Sequence, residues 1–115
     1  MLARDCGFPA CHGAPDRFFR VWAPNRTRLD PGTTALGAPV TPAELDATYD
    51  RARSMLASAS SPEASLLVRK PLDDAAGGSE HMGRDARGHN VYASKDAPGW
   101  RAIAGWAGVA LGGTP

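Results

Sequence analysis

No stretch of this chain is apolar for long enough to cross a bilayer. A spanning helix needs about 18 consecutive apolar residues, whereas the longest low-charge run, AIAGWAGVALGG from Ala102 to Gly113, falls short of that and reads as a buried helix. No direct membrane insertion is expected. Excess charge is lacking too: Lys and Arg number 13 against 12 Asp and Glu, a formal net charge of +1. That balance supplies no global field for nucleic acid or an anionic membrane. There is no glycine-flanked nucleophilic serine, no His-Glu-x-x-His helix and no phosphate loop, so the sequence does not read as an enzyme. The adjacent carboxylates Asp73 and Asp74, close to Lys70, read as a solvated turn. Internal repeats are absent.

What is present fits one domain over residues 1–115, long enough to bury a small core. Gly 13 and Pro 10 predict short helices on long irregular connections. VTPAELDATYDRARSMLASAS reads as one helix: Thr41 is its N-cap, Pro42 suits the first helical position and Glu44 stands in capping-box register. Leu45, Tyr49, Ala52 and Leu56 form its predicted apolar face. SPEASLLVRKP supplies one or two helical turns, stopped by Pro71. A last helix starts near Asp96 or Ala97 and carries Trp100, Ile103 and Trp106, with Gly105 and Gly108 placed to let another backbone approach. A further short helix is expected around Cys6 to His12. Between Asp73 and Ala97 runs a glycine-rich loop too long for an ordinary connection, and such loops carry function or disorder.

Both cysteines lie in RDCGFPACHG, with a histidine directly after the second. Cys-x-x-Cys-His is the attachment sequence of c-type haem, in which two thiols bind the porphyrin and the adjacent histidine binds iron. Here four residues separate the cysteines, a wider spacing used in some multihaem cytochromes. The same residues allow a local Cys6–Cys11 disulfide. They also allow a zinc site completed by His81 and His89, although that second pair lacks the compact spacing of a finger. RFFRVWAPNRTR interleaves arginine with aromatics in the manner of single-strand nucleic-acid binders. Core aromatics with outward arginines are the stronger reading, and no nucleic-acid partner is expected.

The second half of the chain bears on these alternatives. CHG at Cys11 to Gly13, SLLVRKP at Ser65 to Pro71, GGSEHMG at Gly77 to Gly83 and GWRAIAGW at Gly99 to Trp106 occur in that order over nearly the whole chain. The set resembles the haem-binding cytochrome c domains of planctomycete and myxobacterial proteins. The resemblance implies a mostly α, small cytochrome c-like fold of about three to four short helices, with long loops around a haem.

It also implies the site. Cys6 and Cys11 carry the thioether links of haem c and His12 is the proximal iron ligand. Arg17 and Arg20 are placed to pair with the propionates. The second iron ligand comes from the late loop, with His81 first in line and Met82 its rival. The function implied is single-electron transfer to redox protein partners in the periplasm or cell envelope, and the haem-free chain is expected to be poorly folded. MLARDCGF shows no basic region followed by an apolar core, so the export signal such a location calls for is not seen in this sequence. The alternative is a haem-free extracytoplasmic interaction module closed by a Cys6–Cys11 disulfide.

Overall fold

A computed structural model describes residues 1–81, 88 and 90–114. The chain divides into two compact units, Met1–Ser54 and Met55–Pro115. Among the described residues it is helix and loop, with four short α-helices and no strands.

In the first unit, α1 (Leu2–Asp5) is a single turn and α2 (Pro42–Ser54) is the main helix. The helix expected around Cys6 to His12 is a series of turns, and the helical turn precedes it. The capping box at Thr41 is formed. Its hydroxyl accepts the Glu44 amide at 3.3 Å, and the Glu44 carboxylate accepts the Thr41 amide at 2.9 Å.

The inward face of α2 differs from the predicted one. Glu44 and Ala52 are buried and Thr48 is half-buried, one turn apart along the helix, while Leu45 and Tyr49 are exposed. The cause is polar. Thr48 Oγ1 accepts the Trp22 amide at 3.2 Å, and Glu44 receives Arg28. Glu44 in turn accepts the Leu29 amide. These bonds require residues 44 and 48 to face inward, and helical spacing then brings Ala52 to the same side. The apolar part of this core is Cys6, Val21, Trp22, Ala23 and Ala52.

The second unit holds a 3₁₀ turn at Pro62–Ala64, α3 (Leu66–Arg69), another 3₁₀ turn at Asp74–Ala76 and α4 (Pro98–Ala110). Ser61 and Ser65 cap successive turns, accepting the amides of Ala64 and Val68. α3 and the first 3₁₀ turn pack on α4. Leu67, Val68, Trp100, Ile103 and Ala107 are buried, and the Trp100 indole N–H donates to the Val68 carbonyl at 3.1 Å. Trp106 is half-buried, and Val109 and Leu111 are exposed. Gly108 lies against Pro62, whereas Gly105 has open space around it and admits no close backbone.

A short ladder ties residues 71–73 to Tyr92. Tyr92 donates its amide to Pro71 and accepts that of Asp73, both at 2.8 Å, making one isolated parallel bridge between Leu72 and Tyr92. The chain segment on either side of the late loop is thereby closed at its base.

Candidate functional site

The stretch from Cys6 to Gly13 is a loop wound on itself. His12 donates its amide to the Cys6 carbonyl at 3.0 Å, and the Phe8 carbonyl accepts the amides of Cys11 and Gly13, each at 2.9 Å. Pro9 has no N–H to give, so no regular helical ladder runs through the stretch. The two glycines make the winding possible. A Cβ on Gly13 would stand 2.3 Å from the Gly7 carbonyl oxygen, and one on Gly7 would stand 2.5 Å from that of Ala3. Arg26 pins the loop from outside, donating Nε to the Gly7 carbonyl at 2.9 Å with its guanidinium over the Phe8 ring.

This winding gathers Cys6, Cys11 and His12 around one short segment of backbone. Both cysteines are free thiols; Cys6 is buried and Cys11 half-buried. Burial, reinforced by the nearby charge of Asp5, pushes the Cys6 thiol up to about 12, so it is a neutral S–H at ordinary pH. His12 Nδ1 lies 2.7 Å from the Phe19 carbonyl oxygen, and the two rings are in tilted contact. A carbonyl only accepts, so Nδ1 is the donor, and in the neutral ring the lone pair is on Nε2. Holding one imidazole nitrogen on a backbone oxygen is how proteins orient a histidine that binds a metal through the other. The Val21 amide closes the arrangement by donating to the His12 carbonyl at 2.7 Å.

The two arginines singled out for propionates differ. Arg17 is exposed. Arg20 is half-buried, stacks over the Trp22 ring at 4.6 Å and donates Nη2 to the Thr27 carbonyl. Its Nε and the Trp22 indole N–H are buried donors without a hydrogen-bond partner. An orphaned buried donor is costly, and two on stacked side chains mark a place suited to an acceptor such as a carboxylate. Trp22 also lines an open cleft of about 540 Å³ shared with Phe18, Leu29, Ala47, Asp50 and Arg51. Phe8 and Phe18 are exposed, so neither belongs to the protein core.

In the second unit His81 is half-buried with Nδ1 3.1 Å from the Asn90 side-chain oxygen. Met82 and His89 lie outside the described residues. Among the described residues no group of three His, Cys, Asp or Glu side chains comes together as a metal site, and no helix is long and apolar enough to cross a membrane.

Sequence reasoning did not reach the Phe19 carbonyl, the Trp22 indole N–H or Asn90. A backbone acceptor has no sequence signal. Asn90, next to His89 in GHNVY, was open to suspicion only as a polar residue beside a histidine. Compared with known proteins, the chain matches no family model, no curated protein and no solved structure.

Proposed function

We propose that this chain is a c-type cytochrome that passes single electrons between protein partners in the bacterial envelope. The observation that carries the reading is the Cys6–His12 loop, in which two free thiols and a histidine oriented through Nδ1 share one short segment of chain. The residues fit a covalently held haem. Cys6 and Cys11 supply thiols, His12 supplies Nε2, and Arg20 with Trp22 supplies donors that lack an acceptor.

A bound haem supplies one-electron chemistry at iron. The chain's own contributions are binding and tuning. Phe19 fixes the His12 ring and tautomer through its carbonyl, which raises the basicity of the ligating nitrogen. Arg20 would bring positive charge to a haem propionate. By the resemblance His81 or Met82 would supply the second iron ligand, and an iron so held would have no position open for a substrate, which favours an electron carrier over an enzyme.

The test is a pyridine haemochrome and a reduced-minus-oxidised spectrum of the chain, exported in a strain that matures c-type cytochromes. A thioether-type spectrum altered by Cys6→Ala and by Cys11→Ala supports the reading. A colourless, cooperatively folded protein overturns it.

A further inference from the structure

Residue 12 is held at two points by one neighbouring segment. His12 Nδ1 donates to the Phe19 carbonyl at 2.7 Å, and the Val21 amide donates to the His12 carbonyl at 2.7 Å. The amide of His12 is already given to the Cys6 carbonyl, so the ring nitrogen takes the place that an amide would hold in a backbone ladder. Residues 19–22 are thus the support on which the imidazole is set.

That support has an anchor of its own. The next amide along, that of Trp22, donates to Thr48 Oγ1 at 3.2 Å. Val21 and Trp22 are both buried, so losing the hydroxyl leaves this amide short of an acceptor. Thr48 is fixed in turn by α2. It stands one helical turn after Glu44, whose bonds to Arg28, Leu29 and Thr41 set the face that α2 turns inward. A continuous set of contacts therefore runs from α2 through the Thr48 hydroxyl and residues 19–22 to Nδ1 of His12.

We propose that Thr48 is a positioning residue for His12, setting through the Trp22 amide how closely the Phe19 carbonyl engages Nδ1 and so tuning the iron ligand; this rests on the haem reading above. The bond at Nδ1 makes Nε2 more basic, and a more basic ligand favours ferric iron. When the Thr48 acceptor is lost, residues 19–22 are freed from α2, the bond at Nδ1 slackens and the ferric state loses part of that advantage. Thr48 touches neither His12 nor a bound group, so its whole effect passes along the segment.

The experiment uses the full haem-loaded chain as wild type, Thr48→Val and Thr48→Ser. Valine keeps the shape of threonine without the acceptor, whereas serine keeps the acceptor without the methyl. Thr48→Val is expected to raise the midpoint potential, by no more than the about 59 mV of a tenfold change in a one-electron equilibrium. In the diamagnetic ferrous form, its His12 Nδ1–H proton is expected to resonate upfield of wild type and to exchange faster with solvent, the marks of a longer hydrogen bond. Thr48→Ser is expected to keep the wild-type potential and resonance.

A threonine that served the fold alone would lower the denaturant midpoint in Thr48→Val and leave the potential and the Nδ1–H resonance in place, and that result overturns the proposal. So does a Thr48→Ser variant that shifts both as far as Thr48→Val. Should Thr48→Val not fold, Thr48→Ala removes the same acceptor with less bulk and carries the same expectation. A chain with no covalent haem by haemochrome overturns the haem reading along with this one, whereas attached haem whose potential and His12 resonance ignore position 48 overturns this one alone.

Discussion

Arg28 and Glu44 meet through two parallel hydrogen bonds, 2.8 and 2.6 Å long, with both side chains almost wholly out of solvent. The remaining valences are also satisfied. Arg28 donates to the carbonyls of Ala38 and Pro39, and Glu44 accepts the amides of Leu29 and Thr41. A buried pair of this kind is weak as net stabilisation but destructive when one partner is removed. It fixes where the connector from Leu29 to Val40 returns to the start of α2, and it sets which face of α2 turns inward.

The pair gives the first unit an acid limit. Hydrogen bonding to Arg28, helped by the Thr41 and Leu29 amides, holds the Glu44 carboxyl down to about 2, and Glu44 raises the pKa of Arg28 in return. A depressed carboxyl contributes stability in full above its ordinary value of 4.5 and loses it as the pH falls toward about 2. Urea unfolding from pH 6 down to pH 2.5 is expected to show the wild type losing stability through that window. Glu44→Gln is expected to be less stable at pH 6 and flatter in its response. An unchanged slope in Glu44→Gln would remove Glu44 as the acid-sensitive group.

Gly13 and Gly105 predict opposite outcomes for the same substitution. At Gly13 a Cβ meets backbone oxygens of Gly7 and Phe8 at 2.3 and 2.9 Å, and neither oxygen can step aside without opening the loop. Gly13→Ala is expected to destabilise the first unit and, on the haem reading proposed above, to lower covalent haem incorporation severalfold. Gly105 stands inside α4 with nothing within 4 Å of its would-be Cβ. Gly105→Ala is expected to stabilise by about 0.5–1 kcal/mol, the usual helical advantage of alanine. Haem content per chain and denaturant midpoints measure both. Normal haem loading in Gly13→Ala would mean that the loop closes differently when haem is attached.

The contrast between local and distant pairings also explains what the sequence made legible. Thr41, Pro42 and Glu44 announced the start of α2, and the Ser61 and Pro62 pair announced the turn before α3, because capping is settled within three or four residues. The inward face of α2 was not legible. Glu44 read as half of a capping box, and its second partner, Arg28, stands 16 residues earlier, where no periodicity reveals it. Leu45 and Tyr49 looked like core for the same reason. At the site, the residue types Cys6, Cys11 and His12 were plain in the sequence. Their support was not, since it comes from the Phe19 carbonyl and from glycine contacts between backbones.

On the haem reading proposed above, Arg17 and Arg20, equal in sequence and unequal in structure, are expected to separate in their effects on the potential. Arg17 is exposed, so its charge is screened by water and salt. Arg20 is half-buried against Trp22 with an orphaned Nε, where a charge acts through a lower dielectric. Replacing a cation near a propionate leaves more negative charge uncompensated and favours the ferric state, so Arg20→Gln is expected to lower the midpoint potential. The size expected is tens of millivolts, a tenfold change in a one-electron equilibrium being about 59 mV. Arg17→Gln is expected to leave it close to wild type. Trp22→Phe, which removes the neighbouring orphaned N–H while keeping an aromatic ring, is expected to shift the potential in the same direction by less, since it takes away a neutral donor and not a charge. Potentiometric titration of the three haem-loaded variants measures this. Equal responses of Arg17→Gln and Arg20→Gln would mean that the buried donors of Arg20 and Trp22 do not face the propionates, and that the acceptor they lack is some other group.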